Sequence, residues 1–250
     1  MCKTDNIKKD FEIHFRNLLE HEPILMDLIW REIFVLGTAY VVGGFLRDFL
    51  IKKESRDIDI IVDIKDTNVH LLDIVKRLNC DFTTNRHGGI KIKLKSITVD
   101  IWSLENNWAF KNKIVKLNEN DKLNSIAKGC FFNYDALVIN LHNFSYNIRY
   151  YNEFINTKEL NILQKVALYK NQNPTTDANI IRAIYIKNKF NAQFTDNTLK
   201  YLISKIDGFQ NGFKRILDVK SKYPKYNELS DNLLIDELKK IIISANVIPF

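Results

Sequence analysis

Cysteine is scarce in this sequence, and its placement excludes two common ways of stapling a fold. Cys2, Cys80 and Cys130 lie far apart without CxxC spacing, so neither a disulfide framework nor a structural zinc site is indicated. A reducing, cytoplasmic setting is the expectation. Histidine is as sparse: His14, His21, His70, His87 and His142 show no His-x-x-x-His spacing, which leaves each as a surface or core side chain. Long apolar runs are missing too. The stretch from Ile24 to Leu46 is interrupted by Asp27, Arg31, Glu32 and a Gly pair, so no window approaches the roughly 20 residues that a membrane span needs. The first residues carry Lys3, Asp5, Lys8, Lys9 and Asp10 and do not read as a signal peptide. Proline-rich linkers, low-complexity tails and internal repeats are likewise absent.

What is present is enough apolar material for a core, 46% of 250 residues, and a formal net charge of +7 that suits a polyanionic partner such as nucleic acid. Helical spacing predicts two helices between Asp10 and Ile33, separated at Pro23. Thr38 to Val42 is short and β-branched, ends at Gly43-Gly44, and leads into the helical Phe45 to Ile51. Asp57 to Val62 reads as a buried strand, Thr67 to Leu78 as a helix, and Ile90–Leu94 with Ile97–Trp102 as a hairpin turning near Lys95-Ser96. Glu105 to Asn124 shows little pattern and is expected to be irregular, with Phe131 to Leu141 resuming a packed element. Beyond about Tyr151 the apolar residues follow helical periods: Leu160, Leu163, Val166 and Ala167, then Ile180, Ile181 and Ile184, then Leu199, Leu202, Ile203 and Ile206, then Asp231 to Ile243. The expected organisation is N-terminal helices over 1–35, an α+β domain with a mixed sheet over 36–150, and an all-helical part over 151–250.

Asp57 and Asp59 stand two apart in a predicted strand, so both carboxylates leave one face and can share hard cations. Asp100, in the neighbouring predicted strand, is the candidate third ligand. Two carboxylate-held ions suit phosphoryl or nucleotidyl transfer, because they neutralise a triphosphate and align the attacking and leaving oxygens. Gly43-Gly44 lies where a strand hands over to a helix, allowing a phosphate to approach the backbone closely. Arg47 adds a positive charge one turn later, and Asp48 is placed to orient Arg47 or to contact a ribose. Singly, an Asp-x-Asp is usually a solvated edge and a Gly-Gly a turn; in this order and spacing they describe a nucleotidyltransferase site. Cys130, beside Phe131 and Phe132, reads as a buried structural thiol.

The segment Val42-Gly43-Gly44-Phe45-Leu46-Arg47-Asp48-Phe49-Leu50, followed by Arg56-Asp57-Ile58-Asp59-Ile60, resembles the head-domain motif of class II tRNA nucleotidyltransferases and bacterial poly(A) polymerases. The resemblance continues through His87-Gly88-Gly89-Ile90-Lys91, Val99-Asp100-Ile101, Phe132 to Asn140, and Ile181-Arg182-Ala183-Ile184. It implies a DNA polymerase beta-like palm, two magnesium ions on Asp57 and Asp59, triphosphate contacts from Gly43 and Gly44, and a nucleotide-facing Arg182 on a neck helix. The implied activity is transfer of a nucleoside monophosphate from a nucleoside triphosphate to an acceptor hydroxyl, foremost an RNA (tRNA) 3′ end.

The sequence departs from that family at two places. The family's Arg-Arg-Asp-Phe-Thr before Asn-Ala-Leu is matched by Gly129-Cys130-Phe131-Phe132-Asn133 before Asp135-Ala136-Leu137. Its base-reading Glu-Asp-x-x-Arg is matched by Thr175-Thr176-Asp177-Ala178-Asn179, and little room remains for body and tail domains. Two alternatives therefore stand beside RNA: a toxin or defence enzyme modifying a protein or other acceptor, and a weakly catalytic nucleic-acid-binding module.

Overall fold

A computed structural model of the chain describes residues 6–66, 68–85, 88–164, 176–206 and 213–245. Cys2, Thr67, His87, Val166, Ala167 and Thr175 lie outside these. The chain divides into two compact units, one of Met1–Phe131 with Asp135–Tyr151, the other of Phe132–Tyr134 with Asn152–Phe250.

The first unit is built on a seven-stranded mixed sheet. Its strands are β1 (Gly37–Val42), β2 (Asp57–Ile64), β3 (Phe82–Thr84), β4 (Ile90–Lys93), β5 (Thr98–Ser103), β6 (Val138–Asn140) and β7 (Tyr146–Asn147), in the order β3-β4-β5-β2-β1-β6-β7. Only β2 and β5 run parallel; the other neighbours are antiparallel. A parallel pair needs a long crossover, supplied by the helix Leu71–Lys76 with β3 and β4. Ile58, Ile60 and Val62 of β2, with Ala39 and Val41 of β1 and Val99 and Ile101 of β5, are buried on one face. β2 is thus apolar on one side and carries its carboxylates on the other, as period-two alternation dictates.

The N-terminal helix Ile7–His21 brings Phe11 edge-on to Phe49 and Phe45, with ring centroids 5.2 and 6.1 Å away. Glu22 ends that helix by leaving the helical region, which the following proline disfavours, and Pro23 opens the next. The buried Glu22 carboxylate accepts hydrogen bonds from Lys95 N, Ser96 N and Ser96 Oγ, pinning the turn of the β4–β5 hairpin. The second predicted helix is a run over 23–36 whose middle, Asp27–Ile33, is π-helical.

Local details differ from expectation. The helix after β2 is shorter, Leu71–Lys76, and β3 is a strand that its three residues were too few to signal. The stretch from Glu105 to Asn124 contains a helical turn, Trp108–Lys111, and the start of the helix Lys122–Gly129. In the second unit the helices Thr176–Phe190, Asp196–Ile206 and Asp231–Ala245 follow the apolar periods, and Lys214–Ser221 joins them. Leu160, read as helical, lies instead in β8 (Glu159–Leu160), which pairs in parallel with β9 (Gln193–Phe194). Buried Thr198 secures this pair: its Oγ1 donates to Leu160 O (2.8 Å) and accepts from Ile162 N (2.9 Å).

Candidate active site

The carboxylates gather on the face of β2 opposite the core. Val42 of β1, Asp59 of β2, Asp100 of β5 and Lys91 of β4 stand in one cross-strand row, and Asp57, Thr98 and Lys93 form the next. Side chains opposite one another across a ladder share a face. Asp57 is exposed, while Asp59 and Asp100 are half-buried. Neighbouring strands lie about 4.8 Å apart, so Asp59 and Asp100 are within joint reach of one ion, with Asp57 two residues along. Three hard oxygen donors in this register suit magnesium. Among the described residues no three acidic, histidine or cysteine groups come together as a metal site. Asp100 is engaged elsewhere, its Oδ2 lying 3.1 Å from Lys91 Nζ.

Gly43 sits beside this row. Its φ of +70° is in the left-handed region, and a Cβ there would come 4.0 Å from Asp59 Oδ2, so the turn brings bare backbone against the carboxylate. The Gly43 N–H donates to Leu137 O (2.9 Å). Donors for a phosphate must therefore come from the first turn of the helix Gly44–Leu50, whose leading N–H groups its own ladder leaves over.

Arg47, expected beside the phosphates, is held by an acidic partner: Nη1 donates to Asp135 Oδ1 at 3.1 Å, and both side chains are about 85% buried. Its Nε lies 4.0 Å from Asp48 Oδ1. Asp48 Oδ2 in turn accepts from Ser55 Oγ (3.1 Å), which also reaches the Asp57 carbonyl (3.0 Å). Asp48 thus stands at ion-pair distance from Arg47 while bonded to Ser55. Tyr151 lies near this pair. Burial pushes its hydroxyl pKa up, Arg47 opposes and Asp48 adds to the rise.

Further along the same face, Asp63 and Glu119 hold Lys122; burial favours the neutral amine, but the two carboxylates outweigh it and raise its pKa. A cavity of about 580 Å³ opens at this far end of β2, lined by Val62, Asp63, Asp66, Glu105 and Phe110 among others. Its carboxylates repel a triphosphate, and it contains none of Asp57, Asp59 or Asp100.

Arg182 is half-buried on the helix Thr176–Phe190 of the second unit. At the start of that helix, Thr176 and Asn179 lie beside the buried Tyr201 hydroxyl, whose pKa burial pushes up to about 12 while these two neighbours pull it down. Asp177 pairs with Arg215 (2.8 Å). Cys130 is only half-buried, and its Sγ lies 3.9 Å from Ile126 O.

Ser55, Lys91 and Asp135 escaped the sequence reading. Asp135 stands where the family motif has Asn, a visible signal; the pairing of Lys91 with Asp100 needed the register.

Residues 39–142 match the poly A polymerase head domain. A search of curated proteins by sequence finds no match. Among solved structures, the chain is similar to a CCA-adding enzyme with CTP (20% identity, 86% of this chain and 50% of that one, TM-score 0.59). It is also similar to a Thermotoga maritima CCA-adding enzyme complexed with tRNA (18%, 87% and 49%, TM-score 0.58). A tRNA nucleotidyltransferase with primer tRNA and an ATP analogue matches at 17% identity, 84% and 59% coverage, and TM-score 0.51. At such identities the likeness is one of fold, and the chain spans about half the length of the first two. The head-domain match and the mixed sheet together establish the α+β architecture with a polymerase beta-like head. No helix among the described residues is long and apolar enough to cross a membrane.

Proposed function

We propose that the chain is a divalent-metal-dependent nucleotidyltransferase that moves a nucleoside monophosphate from a triphosphate to the 3′ hydroxyl of an RNA, with tRNA the leading candidate. The observation that carries this reading is the row in which Asp59 stands between the Gly43 turn and Asp100, with Asp57 on the same face. Magnesium held by Asp57 and Asp59 would neutralise the triphosphate and align the attacking and leaving oxygens. The chain's own groups do the positioning. The Gly43-Gly44 turn admits the phosphates to the backbone, and the helix Gly44–Leu50 offers its first-turn N–H groups. Arg47, anchored by Asp135, ties that helix to the segment before β6. Asp48 and Ser55 tie the same helix to the backbone at Asp57.

Thr176 and Asn179, standing where the family has a charged base-reading pair, favour a looser choice of base than a charged template would give. Incubating the protein with each radiolabelled triphosphate, magnesium and either total RNA or RNA-free lysate tests the proposal. Label in RNA supports it, label in protein moves the acceptor to the toxin-like alternative, and no label with any triphosphate refutes transfer.

A further inference from the structure

The ion pair between Lys91 and Asp100 lies inside the carboxylate row rather than beside it. Lys91 is the register neighbour of Asp100 on β4, as Asp59 is on β2, so Asp100 stands between a carboxylate on one side and an ammonium on the other. Lys91 Nζ approaches Asp100 Oδ2 to 3.1 Å, with the Asp100 side chain 25% exposed and that of Lys91 55% exposed. Burying two half-desolvated carboxylates in adjacent register costs repulsion that a cation relieves, and the lysine supplies one. We propose that Lys91 is a built-in counter-cation of this site, which neutralises Asp100 when no divalent ion is bound and must give it up for Asp100 to act as a ligand. The inference rests on the carboxylate site proposed above.

Competition of this kind sets metal affinity. Removing the lysine charge should tighten divalent-ion binding, because the ion then takes Asp100 without displacing a partner. A partly exposed ion pair limits the gain to about twofold to fivefold. Lys93 serves as the control: it is exposed on the same strand and face, but in the row of Asp57 and Thr98, one row away from Asp100.

The experiment is a titration of the full-length, nucleotide-free protein with Mn2+, followed by electron paramagnetic resonance of the free ion, with folding of each variant checked by circular dichroism. Lys91→Gln should lower the Mn2+ dissociation constant about twofold to fivefold. Lys91→Arg, which keeps the charge, should not, and Lys93→Gln should change it by less than either bound. In the Asp100→Asn background, Lys91→Gln should have no effect. An unchanged constant in Lys91→Gln overturns the proposal, as does an equal gain in Lys93→Gln, which would indicate net charge alone. Failure of the site reading itself looks different: Asp59→Asn would then bind Mn2+ as the wild type does.

Discussion

Arg47→Met separates two roles that the sequence leaves open for this residue, a ligand of the triphosphate and a tie within the fold. The guanidinium donates to Asp135 at 3.1 Å, and only about 15% of either side chain is exposed. Removing one partner of a fully buried pair costs about 3–5 kcal/mol, because the other charge stays behind without its counter-ion. With this residual exposure, about 2–3 kcal/mol is the expected loss for Arg47→Met, and a similar loss for Asp135→Leu. The double variant should lose little more than either single one, because two apolar groups then replace a pair that was costly to desolvate. The coupling is then about 2 kcal/mol. All three tryptophans, Trp30, Trp102 and Trp108, belong to the first unit, so urea unfolding followed by tryptophan fluorescence reads this unit selectively. A coupling below about 0.5 kcal/mol would show that the pair does not hold the turn, and would return Arg47 to the phosphates.

Asp57→Asn and Asp59→Asn should each abolish label transfer while leaving the fluorescence melt within about 0.5 kcal/mol of wild type, since neither lies in the apolar core; undiminished transfer by either variant refutes the metal-site assignment. The four ribonucleoside triphosphates should differ by less than about a hundredfold in kcat/KM, roughly 2.7 kcal/mol, measured by competition at equal concentration; strict use of CTP then ATP, ending in a completed CCA, would show this reading of Thr176 and Asn179 to be wrong. In the second unit, burial would raise the pKa of Glu237, but Lys187 and Lys240 outweigh it and hold it below the ordinary glutamate value. A lowered folded-state pKa contributes stability that is present above the unfolded value near 4.5 and is lost as pH falls through the folded one. Acid titration of wild type against Glu237→Gln, by circular dichroism at 222 nm, should therefore show a stability difference at neutral pH that shrinks below about pH 4.5; a pH-independent difference would refute the linkage.

Much of the first unit was legible in the sequence because its signals are local. Alternation through Asp57-Ile58-Asp59-Ile60 put two carboxylates on one face whatever the sheet around them, and a glycine pair between a β-branched run and a helical one announces a turn. The helices Thr176–Phe190 and Asp196–Ile206 were readable for the same reason: an apolar stripe at helical spacing needs no knowledge of its partner. Leu160 misled because a single apolar residue fits a helical period and a two-residue strand equally well, and its pairing with Phe194 depends on a residue 34 positions away. What the tertiary structure alone decided are the partners of charged groups. That Asp100 faces Asp59 follows from a parallel register, that Lys91 holds Asp100 from an antiparallel one, and that Arg47 turns to Asp135 from residues 88 positions apart. Sequence periodicity places a side chain on a face, but which opposite charge meets it there is set by strand order and register, and those are properties of the whole sheet.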